Sequence, residues 1–283
     1  MSPQFHSYPA PAKLNLLLHI VGKRADGYHL LETVFRFIDY SDTVELAVRD
    51  DGRIVLLNPI EGVAPEQDLT VRAARLLQQA SGCSLGASIR LTKRIPMGGG
   101  LGGGSSDAAT VLLALNQLWQ TNFSREKLME LGLSLGADVP VFIFGKNALA
   151  TGIGEKLNEI NLKPAWYVVI HPGVHVPTAE IFKKFAGRVL TEEGRISIMR
   201  ILETTQQRRN ELQQVVSEMY PAVNEVLSEL KKYGSPLMTG SGACVFLECQ
   251  SKEEADKVYQ AMSVKYKGFV AKGLNSHPLL DIE

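Results

Sequence analysis

A chain of 283 residues, 45% hydrophobic and 21% charged, has the composition of an ordinary globular protein. At that length it can bury roughly three quarters of its unfolded surface without a disulfide or metal staple. Thirty Lys plus Arg balance thirty Asp plus Glu, which argues against a protein whose main work is neutralising nucleic-acid phosphates.

A prior of about 150 residues per domain points to two domains. No apolar run approaches the roughly 20 residues that span a bilayer, and residues 1–11 have neither the basic start nor the apolar stretch of a signal peptide. The three cysteines, Cys83, Cys244 and Cys249, are odd in number and form no C-x-x-C pair. They read as small buried hydrophobes of a cytoplasmic protein rather than as disulfides or zinc ligands.

From residue 13 to 21 the apolar side chains alternate, with Leu14, Leu16, Leu18 and Ile20 on one face. Period two predicts a strand, and it places Lys13 and Asn15 together on the other face. Strand-like runs follow at 31–38, 43–48 and 53–57, with Asp26-Gly27 and Asp51-Gly52 as turns. Residues 68–79 read as a helix with Leu69, Ala73, Leu76 and Leu77 on one side, and 88–95 as a strand. After a glycine run, a helix over 105–119 carries an inner stripe of Ala108, Leu112, Leu115 and Leu118 or Trp119.

A second helix spans 125–135, and residues 139–144 suit a buried element. The Gly- and Pro-punctuated stretch 145–164 is the expected junction, dividing the chain into domains 1–160 and 161–283. Beyond it come a strand at 166–170, a helix at 178–185 and a helical block over 196–233, with Pro221 opening its last helix. The chain ends in a strand at 243–248, a helix at 252–262 and a strand at 268–272. Strands returning between helices predict a second α+β sandwich.

The glycine run reads Pro96-Met97-Gly98-Gly99-Gly100-Leu101-Gly102-Gly103-Gly104-Ser105-Ser106. It stands between a strand and a helix, where backbone N–H groups and the helix dipole together bind phosphate. A Walker loop is excluded because no Gly-Lys-Ser/Thr ends the run. The dinucleotide spacing is met by Gly98, Gly100 and Gly103, but a helix follows where a strand with an acidic residue is needed. A protein-kinase loop would need H-R-D and D-F-G further on, and neither occurs. Ser105, Ser106 or Asp107 could cap the helix.

With Pro11-Ala12-Lys13-Leu14-Asn15-Leu16 near the start and Thr239-Gly240-Ser241-Gly242-Ala243-Cys244 near the end, the run resembles the three motifs of the GHMP kinase superfamily, which includes galactokinase, homoserine kinase and mevalonate kinase. The segments Arg24-Ala25-Asp26-Gly27-Tyr28-His29, Gly136-Ala137-Asp138-Val139-Pro140 and Phe269-Val270-Ala271-Lys272-Gly273 are similar to one branch of it, whose acceptor is a CDP-linked methylerythritol. The likeness covers essentially the whole chain in order. It implies an α+β, two-domain GHMP-kinase-like fold. The N-terminal domain would be a ribosomal-protein-S5-like β/α unit and the C-terminal one a ferredoxin-like α/β sandwich, with the active site in the cleft between them.

The implied activity is ATP-dependent phosphorylation of the acceptor's 2-hydroxyl, with Mg2+ accompanying ATP. By the same resemblance ATP meets Lys93, Pro96, Met97, Gly98, Gly99, Gly100, Leu101, Gly102, Gly103, Gly104, Ser105 and Ser106. Asp138 falls on the catalytic aspartate and Lys13 on its partner lysine. Such a pair suits the chemistry: a carboxylate takes the proton of a weakly nucleophilic hydroxyl, and an ammonium steadies both it and the transferring phosphoryl group.

From the residues alone, Asp138 reads equally as the N-cap of a helix opened by Val139-Pro140, and Lys13 as a solvated strand residue. The resemblance places Asn15 near the acceptor hydroxyl, Tyr28 and Phe182 against the cytosine faces and His29 at its edge. Thr178, Gly240 and Ser241 complete the substrate contacts. Tyr28 and Phe182 also read as ordinary packing residues. Asp68 stands where some relatives carry asparagine near the adenine, and Asp107 where others carry asparagine, both residues occurring in such loops. Two alternatives are another small-alcohol kinase of the superfamily, such as a homoserine kinase, and a non-catalytic nucleotide-binding module.

Overall fold

The computed structural model describes residues 4–185 and 207–280. Two long strands, β1 (His6–Lys23) and β2 (His29–Arg49), form an antiparallel pair that crosses the molecule. The sequence suggests two strands at 31–38 and 43–48; the chain instead runs through as one. The polar residues between those runs are cross-strand anchors rather than a turn. Buried Asp42 accepts the N–H groups of Arg94 and Ile95, and Asp39 accepts that of Lys272.

Then come β3 (Ile54–Leu56), α1 (Leu69–Ser81), β4 (Gly86–Thr92), α2 (Gly103–Leu118), α3 (Arg125–Leu133) and α4 (Val139–Phe144). The stretch expected as a bare junction holds a hairpin, β5 (Ala148–Thr151) and β6 (Lys156–Glu159), that pairs with β2. Each of its strands has four residues, too few for a period to register. After β7 (Trp166–His171) and α5 (Thr178–Phe185) come α6 (Leu212–Met219), α7 (Pro221–Leu230), β8 (Leu237–Met238), β9 (Val245–Cys249), α8 (Lys252–Ser263) and β10 (Lys267–Leu274). The expected helical block begins at 196, outside the described residues. Within them it is broken at Asn210, which makes an isolated bridge to Leu18 of β1.

The strand path is β3-β4-β2-β10-β7-β9-β8, and among the described residues β3–β4 is the one parallel pair of strands. This mixed sheet with helices on it is an α+β fold. One edge of β2 carries β1, while the other serves β5, β10 and β4 in turn.

Helix α2 is buried at every position from Ser106 to Leu115 rather than along one stripe, because α1, α3 and α4 pack on it as well as β1 and β2. Its run of Ala, Val, Leu and Thr is what a helix enclosed on all sides requires. An apolar seam of Leu14, Leu16, Ile95 and Leu101 against Tyr167, Val169 and Phe246 joins the two halves. Cys244 and Cys249 are buried, and Cys83 is only partly so. Among the described residues no helix is long and apolar enough to cross a membrane.

Candidate active site

The loop from β4 to α2 opens on a cavity of about 580 Å³ that β1, α1, α5 and the 240–242 turn also line. Helix α2 begins two residues before its predicted start. Its N-cap is Gly102, in the left-handed region at φ 73°, and no side chain caps it. Ser105, Ser106 and Asp107 are therefore inside the helix and none is a cap. The Ser106 N–H bonds to the Gly102 carbonyl at 2.9 Å. The N–H groups of Gly103, Gly104 and Ser105 precede it and have no intrahelical acceptor, which leaves a site for an anion.

Backbone bonds fix the loop from two sides. Lys13 N–H donates to Leu101 O at 3.0 Å, and Ala243 and Cys244 N–H donate to Gly98 and Gly99 O at 3.1 Å. Gly100 must be glycine: a Cβ there would lie 2.1 Å from the Thr239 carbonyl oxygen, and its φ is +73°.

Among the residues expected to meet ATP, Lys93 and the whole stretch from Pro96 to Ser105 line the cavity. Ser106 does not; it is fully buried and its Oγ has no partner. The Lys93 ammonium is held between Asp42 and Asp107, the latter at 2.6 Å. Burial pushes the Asp107 carboxyl up to about 7, against the pull of Lys93 and helped by Asp42. Asp68 is the N-cap of α1, its Oδ1 accepting from Thr70 N at 2.8 Å and from Thr70 Oγ1 at 2.5 Å, while the residue also lines the cavity. A carboxylate serves as an N-cap as well as an amide does.

Beside the loop, on the same cavity, Lys13 Nζ lies 3.1 Å from Asp138 Oδ2 and donates to Asn15 Oδ1 at 2.6 Å and Gly100 O at 3.1 Å. All three ammonium protons are thus committed. Lys13 is not a solvated strand residue: its side chain is 3% exposed, whereas that of Asp138 is 35% exposed. Asp138 occupies the N-cap position of α4 with helical backbone angles (φ −86°, ψ −12°) and makes no capping bond. Its carboxylate turns to Lys13 and to the cavity, so of the two readings of this residue the cap is the one that fails.

Asn15 is fixed in turn. Its Nδ2 donates to Thr33 Oγ1 at 2.8 Å, and Thr33 donates to Leu17 O at 2.6 Å. Period two made Lys13 and Asn15 neighbours in the sequence; β-bulges on either side of them, at Pro11/Lys13 and Asn15/Leu17, end the alternation beyond.

At the rim, Thr178 and Ser241 hydroxyls are 2.7 Å apart, and they line the cavity with Gly240 and Phe182. The His29 ring stands 5.3 Å from that of Phe182, tilted by 31°. Burial and neighbouring Lys23 hold His29 below its ordinary value. Tyr28 is 59% exposed, in the turn after Gly27, and does not line the cavity. Sequence reasoning missed Thr33, Asp42, Thr239 and Asn210. Thr239 lay inside a noted motif, but nothing marked the other three.

Two families match the chain: GHMP kinases N terminal domain over residues 68–146 and GHMP kinases C terminal over residues 188–268. The fold is that of this class. A 4-diphosphocytidyl-2-C-methyl-D-erythritol kinase from Chromobacterium violaceum is 75% identical over 99% of both chains. One from Dechloromonas aromatica is 54% identical over 97% of this chain and 99% of its own.

A crystal structure of 4-(cytidine 5'-diphospho)-2C-methyl-D-erythritol kinase superposes with a TM-score of 0.82 at 34% identity, covering 95% of this chain and 99% of that one. A mevalonate kinase at 16% identity, covering 96% of this chain and all of its own, shares the fold at a TM-score of 0.73. The chain belongs to the 4-diphosphocytidyl-2-C-methyl-D-erythritol kinase family of the GHMP kinases.

Proposed function

We propose that this protein transfers the γ-phosphoryl group of ATP to the 2-hydroxyl of 4-diphosphocytidyl-2-C-methyl-D-erythritol. Its cleft lies between residues 1–160 and 161–283. The observation that carries the reading is the Asp138 carboxylate, free of any capping bond and 3.1 Å from a buried lysine, facing the uncapped end of α2 across one cavity.

The triphosphate lies on the N–H groups of the 98–105 loop, and the base reaches the apolar end formed by Ile60, Val63, Leu69 and Leu91. Asp138 takes the proton of the acceptor hydroxyl as attack develops, and Lys13 pairs with that carboxylate and faces the growing charge. Fixed dipoles and a placed ammonium suit this reaction, because phosphoryl transfer asks mainly for positioning and charge stabilisation.

Mg2+ enters on the triphosphate as part of the substrate. Among the described residues no group of three or more His, Cys, Asp or Glu could hold an ion alone. The Ser105 hydroxyl lines the cavity in the first turn of α2 and is an oxygen ligand suited to a hard cation.

Phe182, with His29 against it, supplies an aromatic face at the rim for the cytosine. Exposed Tyr28 closes on the opposite face when the base is present, and Thr178, Ser241 and Gly240 meet the alcohol end. An aromatic clamp has no use for homoserine or a sugar, which disfavours the other small-alcohol kinases. A non-catalytic module has no need of the Lys13–Asp138 pair.

ADP release measured with each alcohol tests the reading. Turnover is expected with the CDP-linked methylerythritol and none with homoserine or galactose. CDP is expected to raise the melting temperature. Turnover with homoserine, together with no shift from CDP, overturns the assignment.

A further inference from the structure

We infer that Thr239 is a positioning residue: its hydroxyl locks the Lys13–Asn15 strand to the phosphate loop, so that the proton-accepting carboxylate and the γ-phosphoryl group are held in one register. The inference rests on the proposed phosphoryl transfer. Thr239 is fully buried. Its Oγ1 accepts the backbone N–H of Asn15 at 2.9 Å and donates to the Gly100 carbonyl at 3.2 Å, with Asn15 Oδ1 at 3.4 Å as the other acceptor in reach. Gly100 O and Asn15 Oδ1 are also the two neutral acceptors of the Lys13 ammonium, whose third contact is Asp138. One hydroxyl therefore shares both of the partners that aim Lys13.

Thr239 is fixed from behind by the C-terminal half. Asn210, itself buried, donates its two amide protons to Met238 O at 2.8 Å and Gly240 O at 2.7 Å, on either side of Thr239. Its Oδ1 accepts the Leu212 N–H at 3.0 Å, which ties the clamp to the start of α6. The next turn of chain, Ala243 and Cys244, then bonds to Gly98 and Gly99. The loop from Met238 to Cys244 thus grips the donor cradle by its backbone and the acceptor strand by one side-chain hydroxyl.

Removing that hydroxyl leaves the Asn15 N–H without an acceptor in a dry place and releases half the constraint on Gly100 O. A displacement of about 1 Å at a reacting group costs as much as 10²-fold in rate. The loss belongs in turnover rather than in ATP affinity, because the N–H groups that meet the triphosphate are bonded to Thr239 nowhere.

The test compares Thr239→Ser with Thr239→Ala. Both lose the methyl group, and only alanine loses the hydroxyl. Relative to the serine variant, the alanine variant is expected to show a kcat about 10- to 100-fold lower, with KM for ATP within about threefold and the melting-temperature shift from ATP retained. Serine is expected to keep turnover near that of the unaltered protein.

Equal kcat in the two variants overturns the inference, as does a loss in KM for ATP with kcat unchanged. A parallel collapse of both variants in melting temperature and kcat would mean a packing role for the methyl group and likewise overturns it. Absence of turnover in the unaltered protein with the CDP-linked alcohol would instead count against the proposed function, so the two failures are distinguishable.

Discussion

The two sides of the cavity are built from different materials. The donor side, from Gly98 to Ser105, presents backbone: an uncapped helix end and a loop whose shape is fixed by main-chain bonds to Lys13, Ala243 and Cys244. The acceptor side presents side chains: Lys13, Asn15, Thr33, Thr239 and Asp138, joined by hydrogen bonds and an ion pair. A triphosphate always carries charge, and fixed N–H dipoles meet it without reorganising. The acceptor must instead lose a proton, which demands a titratable group and something to hold it charged. The donor side should therefore fail through shape, and the acceptor side through chemistry at unchanged shape.

The sharpest break is Asp138→Asn. The side chain makes no capping bond, so its loss leaves α4 as it was. Turnover is expected to fall by roughly 10²–10⁴-fold, with melting temperature and the shifts produced by ATP and CDP preserved. Near-normal turnover would remove Asp138 from the role of base.

The donor side is probed by Gly100→Ala. The new Cβ would stand 2.1 Å from the Thr239 carbonyl oxygen, an immobile backbone atom, at a φ that costs about 1–2 kcal/mol for any side chain. A lowered melting temperature and loss of the ATP-induced shift are expected together. Gly98→Ala carries a similar φ of +66°, but its nearest neighbour is the His175 ring, which can swing aside. It should show the conformational cost with ATP binding largely kept. Identical losses in the two variants would mean that shape at Gly100 is not special.

The same contrast decides what could be read in the chain beforehand. The phosphate loop is written contiguously, so its composition and its place between strand and helix were visible. The Lys13–Asn15 face was legible because two residues at a spacing of two share a side of a strand. Asp138 was ambiguous, since a cap and a base use the same residue type at the same place, and only the direction of the carboxylate separates them.

Thr33, Asp42 and Asn210 left no local mark. Each is a common polar residue whose meaning comes from a partner far along the chain, such as Asn210 with the carbonyls of Met238 and Gly240. Helix boundaries were hidden as well: Gly103 and Gly104 have poor helix propensity, yet they form the first turn of α2. The register of long β2 was hidden because Asp39 and Asp42 look like turn residues and are anchors to neighbouring segments.

The smallest effect comes from a titratable group on the donor side, Asp107. Asp107, just inside α2, pairs with the ammonium of Lys93, and burial lifts its carboxyl to about 7. A carboxyl whose folded value exceeds its unfolded one binds an extra proton when folded. Its contribution is therefore fully present at pH below the ordinary carboxylate range and declines as pH rises towards about 7.

Asn at this position is neutral throughout. The melting-temperature difference between the unaltered protein and Asp107→Asn should thus fall by a few degrees between about pH 5 and pH 8. The ratio of their KM values for ATP should rise over the same range, since an ionised Asp107 adds negative charge beside the triphosphate and a neutral amide does not. Taking the ratio at each pH cancels the titration of ATP itself. A flat difference and a flat ratio would show Asp107 ionised throughout by its bond to Lys93.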